Sequence, residues 1–151
     1  MSHKSLFILV FIVAVLVSGP VRAQEFSPYG NPLTTVAVKD IPVVAEVVST
    51  PKKLYLGLGH RSELPEGQGM LFLMGATQRQ VFCMRDMYFP IDILWIADGK
   101  VAGLHKQLSP GDKGNFRAPV PVPLVLEVPG GFADRYGIKV GDPVVFQKPV
   151  L

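Results

Sequence analysis

The segment "IDILWIADGKVAGLHKQL", residues 91–108, decides the fold class. Two runs rich in branched and aromatic side chains flank Asp98 and Gly99. An Asp-Gly pair in that position favours a two-residue hairpin, because both turn residues need a positive φ. Residues 91–96 and 101–108 are therefore expected to pair antiparallel. Side chains alternate along a strand, which puts Ile91, Ile93 and Trp95 on one face and Asp92, Leu94 and Ile96 on the other. Both faces are apolar, apart from Asp92. An ionised carboxylate there is costly unless a partner or a sheet edge relieves it.

The flanking sequence extends the β reading. Upstream, "TTVAVKD" (34–40) and "IPVVAEVVST" (41–50) read as strands, with Pro42 near a strand start where a missing N–H is tolerated. "STPKKLYLGLGHR" reads as a helix start. Thr50 is suited to cap it, Pro51 has its φ already set, Leu54 and Leu58 share a face, and Gly57 and Gly59 end it. "GMLFLM" (69–74) reads as a short buried strand. Downstream, "APVPVPLVLEV" has prolines at 119, 121 and 123, which leave one edge without N–H donors. Its first half is expected as an edge strand or polyproline II. "PGGFADRYGIKVGDPVVF" reads as a turn at Gly130-Gly131, one helical turn over 132–136, a turn at Gly141-Asp142 and a last strand. With 14 Pro, 15 Gly and no internal repeat, the expected fold is mainly β (α+β). It is a small, partly open β-barrel or sandwich with one or two short helices.

The first 23 residues read as a secretory signal peptide. Lys4 precedes the twelve-residue apolar run "LFILVFIVAVLV", Ser18 to Pro20 break it, and "VRA" places small residues before a cut at Gln24. A membrane span needs ~20 apolar residues, so this run is short for an anchor. Residues 24–40 are then a loose leader and the first strand, and residues 41–148 a single domain. The expected location is exported, periplasmic or extracellular, with membrane contact only through the signal before cleavage. Removing Lys4 and Arg22 takes the 15 Lys and Arg to 13 against 12 Asp and Glu, a net charge of +1. Without a basic run, that balance offers no footprint for nucleic acid.

Three blocks then resemble a known family. "GLGHRSELPEGQGMLFLM", "FCMRDMYFPIDILWI" and "LVLEVPGGFADRYGIKVGDPV" are similar, in order, to the conserved blocks of DUF192, also called UPF0127. These are small prokaryotic domains of uncharacterised function. The resemblance runs from about Glu46 to Phe146. It implies a compact β-rich domain, often exported, with no agreed activity, cofactor or partner. Gly59, Cys83, Asp86 and Met87 depart from the family's usual Met, Trp, Asn and Thr. If they line a site, a ligand inferred for other members need not carry over.

The candidate ligand-binding residues are Arg61, Arg85, Asp86, Asp92 and Glu127. Glu127, like Asp92, sits in an apolar run, and Arg61 and Arg85 are the expected partners because guanidinium pairs carboxylate bidentately. Such a set is either an internal clamp or the lining of a pocket for a small polar ligand or an envelope protein. The first functional expectation is a non-enzymatic binding or accessory module. The alternative is a small envelope-associated hydrolase using Asp92 and Glu127. No glycosidase motif supports that chemistry, and none of Ser27, Ser49, Ser62 and Ser109 lies in a Gly-x-Ser-x-Gly elbow. Cys83, the only cysteine, reads as a buried thiol beside Phe82 and Met84, with a reactive or metal-binding thiol as the other possibility. No metal-ligand spacing is present among the methionines, Cys83, His60 and His105. No cofactor or metal is assigned.

Overall fold

The computed structural model describes residues 23–147. The expected signal peptide, apart from Ala23, lies outside the described residues. Nine strands and two short helices follow in the order β1 (Leu33–Val38), β2 (Ile41–Val48), α1 (Pro51–Leu56), β3 (Gln68–Gln78), β4 (Val81–Phe82), β5 (Ile91–Ala97), β6 (Lys100–Leu108), β7 (Phe116–Arg117), β8 (Val122–Pro129), α2 (Phe132–Arg135) and β9 (Val144–Phe146). Seven strands form one sheet in the order β6-β5-β8-β3-β2-β1-β9, and β4 and β7 form a separate ribbon. Only β2 and β3 pair parallel; the other pairs are antiparallel. Parallel neighbours need a crossover, and α1 with the loop after it supplies one.

The sheet curls until its two ends meet. Lys100, at the start of β6, bridges Pro143 just before β9. The Val144 N–H donates to Gly99 O at 2.8 Å and the Val101 N–H to Asp142 O at 2.9 Å. The result is the partly open barrel that the alternating runs imply. The hairpin over 98–99 forms as expected, with φ of 51° at Asp98 and 67° at Gly99.

Period-2 alternation gives this sheet two apolar faces. Inside the curl, Val36, Ala45, Leu71, Leu94, Leu126 and Val128 pack with Phe132 and Ala133 of α2. On the outer face, Met70, Phe72, Ile93, Trp95 and Val125 pack under Leu58, Met84 and Met87 from the covering segments. Edge-to-face rings run from Phe72 through Phe82, Trp95 and His105 to Phe116, with centroids 4.9–5.7 Å apart. They bind the β4–β7 ribbon to the outer face. Among the described residues no helix is long and apolar enough to cross a membrane.

Several local expectations need correction. β8 is a central strand between β5 and β3, not an edge. Pro119 falls in a bend and Pro121 immediately before the strand, and Pro123 lies opposite the irregularity in β3 between Leu73 and Gln78, where no ladder hydrogen bond is lost. β3 is longer than its apolar run and continues in exposed residues to Gln78. Thr50 occupies the N-cap of α1 but its hydroxyl makes no capping bond. Residues 24–32 are not loose. Phe26 bridges Pro32, and the Ser27 and Asn31 side chains donate to Glu46 Oε2 at 2.9 and 2.7 Å.

Candidate functional site

Sheet register places the acidic residues. Directly paired residues point to the same face. One row crosses the outer face from Glu46 (β2) to Met70 (β3), Glu127 (β8), Ile93 (β5) and His105 (β6). Glu46 and Glu127 thus stand two strand spacings apart, about 10 Å between backbones, with Met70 between them. Asp92 is out of this row. It lies on the inner face with Leu94 and Ile96.

Asp92 is fully buried and acts as a clamp. Its Oδ1 accepts the Gln107 N–H at 2.7 Å and the Gly131 N–H at 3.0 Å, and its Oδ2 accepts the Ala133 N–H at 2.7 Å. Gly131, the N-cap of α2, has no side chain to cap with. Asp92 therefore caps that helical turn from about forty residues away and holds Gln107, whose φ is 50°, at the kinked end of β6. Its two oxygens are occupied by backbone, so it has no part in a pocket. Asp92 and Glu127 face opposite sides of the sheet and cannot act together on one substrate.

Arg61 does not pair with Asp92 or Glu127. Its guanidinium forks onto Glu46, with Nη1 on Oε1 and Nη2 on Oε2, and stacks 3.8 Å over the Tyr29 ring. Burial alone pushes the Glu46 carboxyl up. Hydrogen bonds from Arg61 and Asn31, the Arg61 charge and the Ser27 hydroxyl outweigh it, so Glu46 ends below its usual range. Glu46 is the residue that sequence reasoning missed. Its signal was present, a single acid within "VVAEVV".

Glu127 has no such partner. It is 5% exposed, and among the described residues its carboxyl makes no hydrogen bond or ion pair. Burial pushes its pKa up to about 8, and the nearby Arg61 charge pulls it back only in part. At neutral pH the protonated form is therefore favoured, a donor that faces the pocket.

Glu127 lines a pocket of about 240 Å³ on the outer face. Phe72 and Met74 of β3 line it from the sheet, Leu54 to Gly59 form one wall, and Val81, Phe82, Cys83, Arg85 and Met87 form the other. His60 and Asp86, with φ of 62° and 57°, lie where the two walls touch; the His60 N–H donates to Asp86 O at 2.8 Å. Two left-handed non-glycine residues in one contact mark a strained, over-determined junction. Arg85 lies at the rim, half exposed. It stacks 4.0 Å over Tyr55, donates from Nη2 to Tyr55 O at 3.1 Å, and brings Nε within 3.8 Å of the Asp86 carboxylate.

Of the five sequence candidates, Glu127 and Arg85 meet at this pocket and Asp86 stands beside it, whereas Arg61 and Asp92 are committed elsewhere. The lining combines apolar side chains with the Glu127 carboxyl and the Arg85 guanidinium. Cys83 is exposed, not buried. Alternation explains this, because Phe82 and Met84 turn inward and Cys83 between them turns out. Trp95 Nε1–H donates to His105 Nδ1 at 2.8 Å, and burial lowers the His105 pKa, so that imidazole is neutral and lies outside the pocket. Among the described residues, no group of three His, Cys, Asp or Glu side chains could hold a metal ion.

Fold and site together define a small curled-sheet domain with an external pocket over a buried carboxyl. The chain belongs to the DUF192 family: the family model described as "Uncharacterized ACR, COG1430" matches residues 34–146. The chain is similar to a crystallised protein of unknown function from Novosphingobium aromaticivorans, at 32% identity and a TM-score of 0.77, covering 83% of this chain and 94% of that one. It is also similar to a protein from Sinorhizobium meliloti described as a putative transcription regulator, at 27% identity and a TM-score of 0.72, covering 77% and 95%. No curated protein matches the chain. Three positions that depart from the family's blocks, Gly59, Cys83 and Met87, line the pocket.

Proposed function

We propose that this chain is an exported, non-enzymatic binding module whose ligand sits in the pocket between α1 and β4, with Glu127 at the base and Arg85 at the rim. The observation that carries the reading is Glu127 itself. Its carboxyl makes no hydrogen bond or ion pair among the described residues and faces the pocket, where a ligand acceptor can meet it. Export is supported by the charged start, apolar run and small-residue exit of residues 1–23. The near-neutral balance after cleavage favours no nucleic-acid role. An envelope protein is a second occupant that the exposed Tyr55, Leu56 and Val81 around the mouth favour.

The test has two parts. The full chain is produced in a bacterial host, and the N-terminus of the protein recovered from envelope and medium is sequenced. A start at Gln24 outside the cytoplasm is expected; an intact Met1 in the cytoplasm removes export from the reading. The purified protein then enters a thermal-shift screen of sugars, carboxylates, phosphates, amino acids and metal ions, beside a Leu54→Trp variant that fills the pocket. A compound that stabilises the wild type and not L54W supports the module. Silence across the library, with no partner captured from envelope extract, leaves Glu127 a buried acid without a ligand.

A further inference from the structure

The pocket's size limits what enters. The pocket measures about 240 Å³. That is below the ~300–1,000 Å³ usual for drug-sized ligands. A single ring or short acyl chain fills a space of this size, and a larger ligand would extend past the mouth. Leu54, Leu58, Phe72, Met74, Phe82 and Met87 offer the body of such a ligand an apolar, partly aromatic bed.

The polar groups are separated along the depth of the pocket. Glu127 is inside, 5% exposed and without a hydrogen bond to the described residues, and its carboxyl is open to an acceptor at the inner end of the ligand. Arg85 is at the rim. Its guanidinium has five N–H donors, and the structure uses one on Tyr55 O while Nε faces Asp86. Stacking on Tyr55 sets the plane in which the remaining N–H groups can fork onto a carboxylate. Asp86 opposes an incoming anion, but Arg85 and His60, at 3.8 and 3.5 Å, both stand against its carboxylate.

We propose that the pocket takes a small organic monoanion, an aryl or short-acyl carboxylate, with its charge on Arg85 at the rim and a hydroxyl or carbonyl acceptor at its inner end on Glu127. This rests on the binding reading above and names the ligand class for it. The ligand enters apolar body first and leaves its carboxylate half in water, which spares the full cost of burying a charge. An amine is disfavoured by Arg85 at the rim.

Three matched probes test the class by calorimetry: 4-hydroxybenzoate, 4-hydroxybenzamide and 4-hydroxybenzylamine, against wild type, R85A and R85K. The acid is expected to bind about tenfold tighter than the amide, one charge-assisted contact's worth. R85A should bring the two within about twofold, and R85K, which keeps the charge, should restore part of the gap. R85K also stands in should R85A lose its fold by circular dichroism. Equal or tighter binding of amide or amine to the wild type overturns the class while leaving the binding site standing. An acid preference untouched in both Arg85 variants overturns the role of Arg85. Failure of all three probes, when another compound shifts the wild type and not L54W, overturns the class alone. Failure of every compound in both experiments overturns class and site together.

Discussion

Replacing Asp92 by asparagine tests whether this carboxylate clamps the fold. The substitution keeps the shape and Oδ1, which holds the Gln107 and Gly131 N–H groups, and turns Oδ2 into an amide that faces the Ala133 N–H donor to donor. Losing the acceptor of a fully buried N–H costs about 1–3 kcal/mol. Reducing the other two bonds from charge-assisted to neutral costs about 1 kcal/mol each. The sum is about 4 kcal/mol. For the 125 described residues, an unfolding entropy of about 0.26 kcal/mol/K converts that into a fall in Tm of roughly 15 °C. Asp112→Asn is the control, because Asp112 accepts one N–H in an exposed loop, where the cost is below about 1 kcal/mol. Urea unfolding and thermal melts of wild type, D92N and D112N measure all three. If D92N melts within about 3 °C of wild type, the three-bond clamp is not what holds α2 and the end of β6.

Two further outcomes follow from the outer face. Burial holds the Glu127 proton up to about pH 8, whereas an unfolded glutamate releases it near 4.5. The folded chain is then the better proton binder between those values, so stability should fall as pH rises from about 4.5 to about 8 and level off above. E127Q should lose less over that range, with a difference of at most about 5 kcal/mol, read from urea midpoints at pH 5, 6.5 and 8; parallel profiles for the two proteins would exclude a buried proton at this site. Arg61→Ala should cost about 3–5 kcal/mol, because it strands the buried Glu46 charge. Removing Glu46 as well should recover part of the loss, and a double-mutant cycle with less than about 0.5 kcal/mol of coupling would break the assignment of this pair.

What the sequence revealed was local. The Asp98-Gly99 hairpin was legible because its turn depends on two residues alone. The two-faced burial of β5 was legible because alternation is a property of one strand. The place of β8 was not, since three prolines suggest an edge and nothing nearby tells that β3 and β5 close on it from either side. Ion pairing failed for the same reason. Asp92 and Glu127 stood out as charges in apolar runs and Arg61 as a partner for them, but the actual partners were set by register between strands distant in sequence. Register gave Arg61 to Glu46, gave backbone to Asp92, and left Glu127 with none. Cys83 was read from the apolar character of its neighbours, when their alternation pointed it the other way.

The central position of β8 has an evolutionary consequence. The walls of the pocket are a one-and-a-half-turn helix and short loops, elements that can change residue or length at little cost to the barrel. Its base is a strand hydrogen-bonded on both sides and packed on both faces. A slip of one residue in β8 would turn Glu127 into the barrel interior and present Leu126 or Val128 to the pocket, exchanging acid for hydrocarbon in two places at once. The walls can therefore change residue by residue, while the position of Glu127 is fixed by the register of the sheet itself.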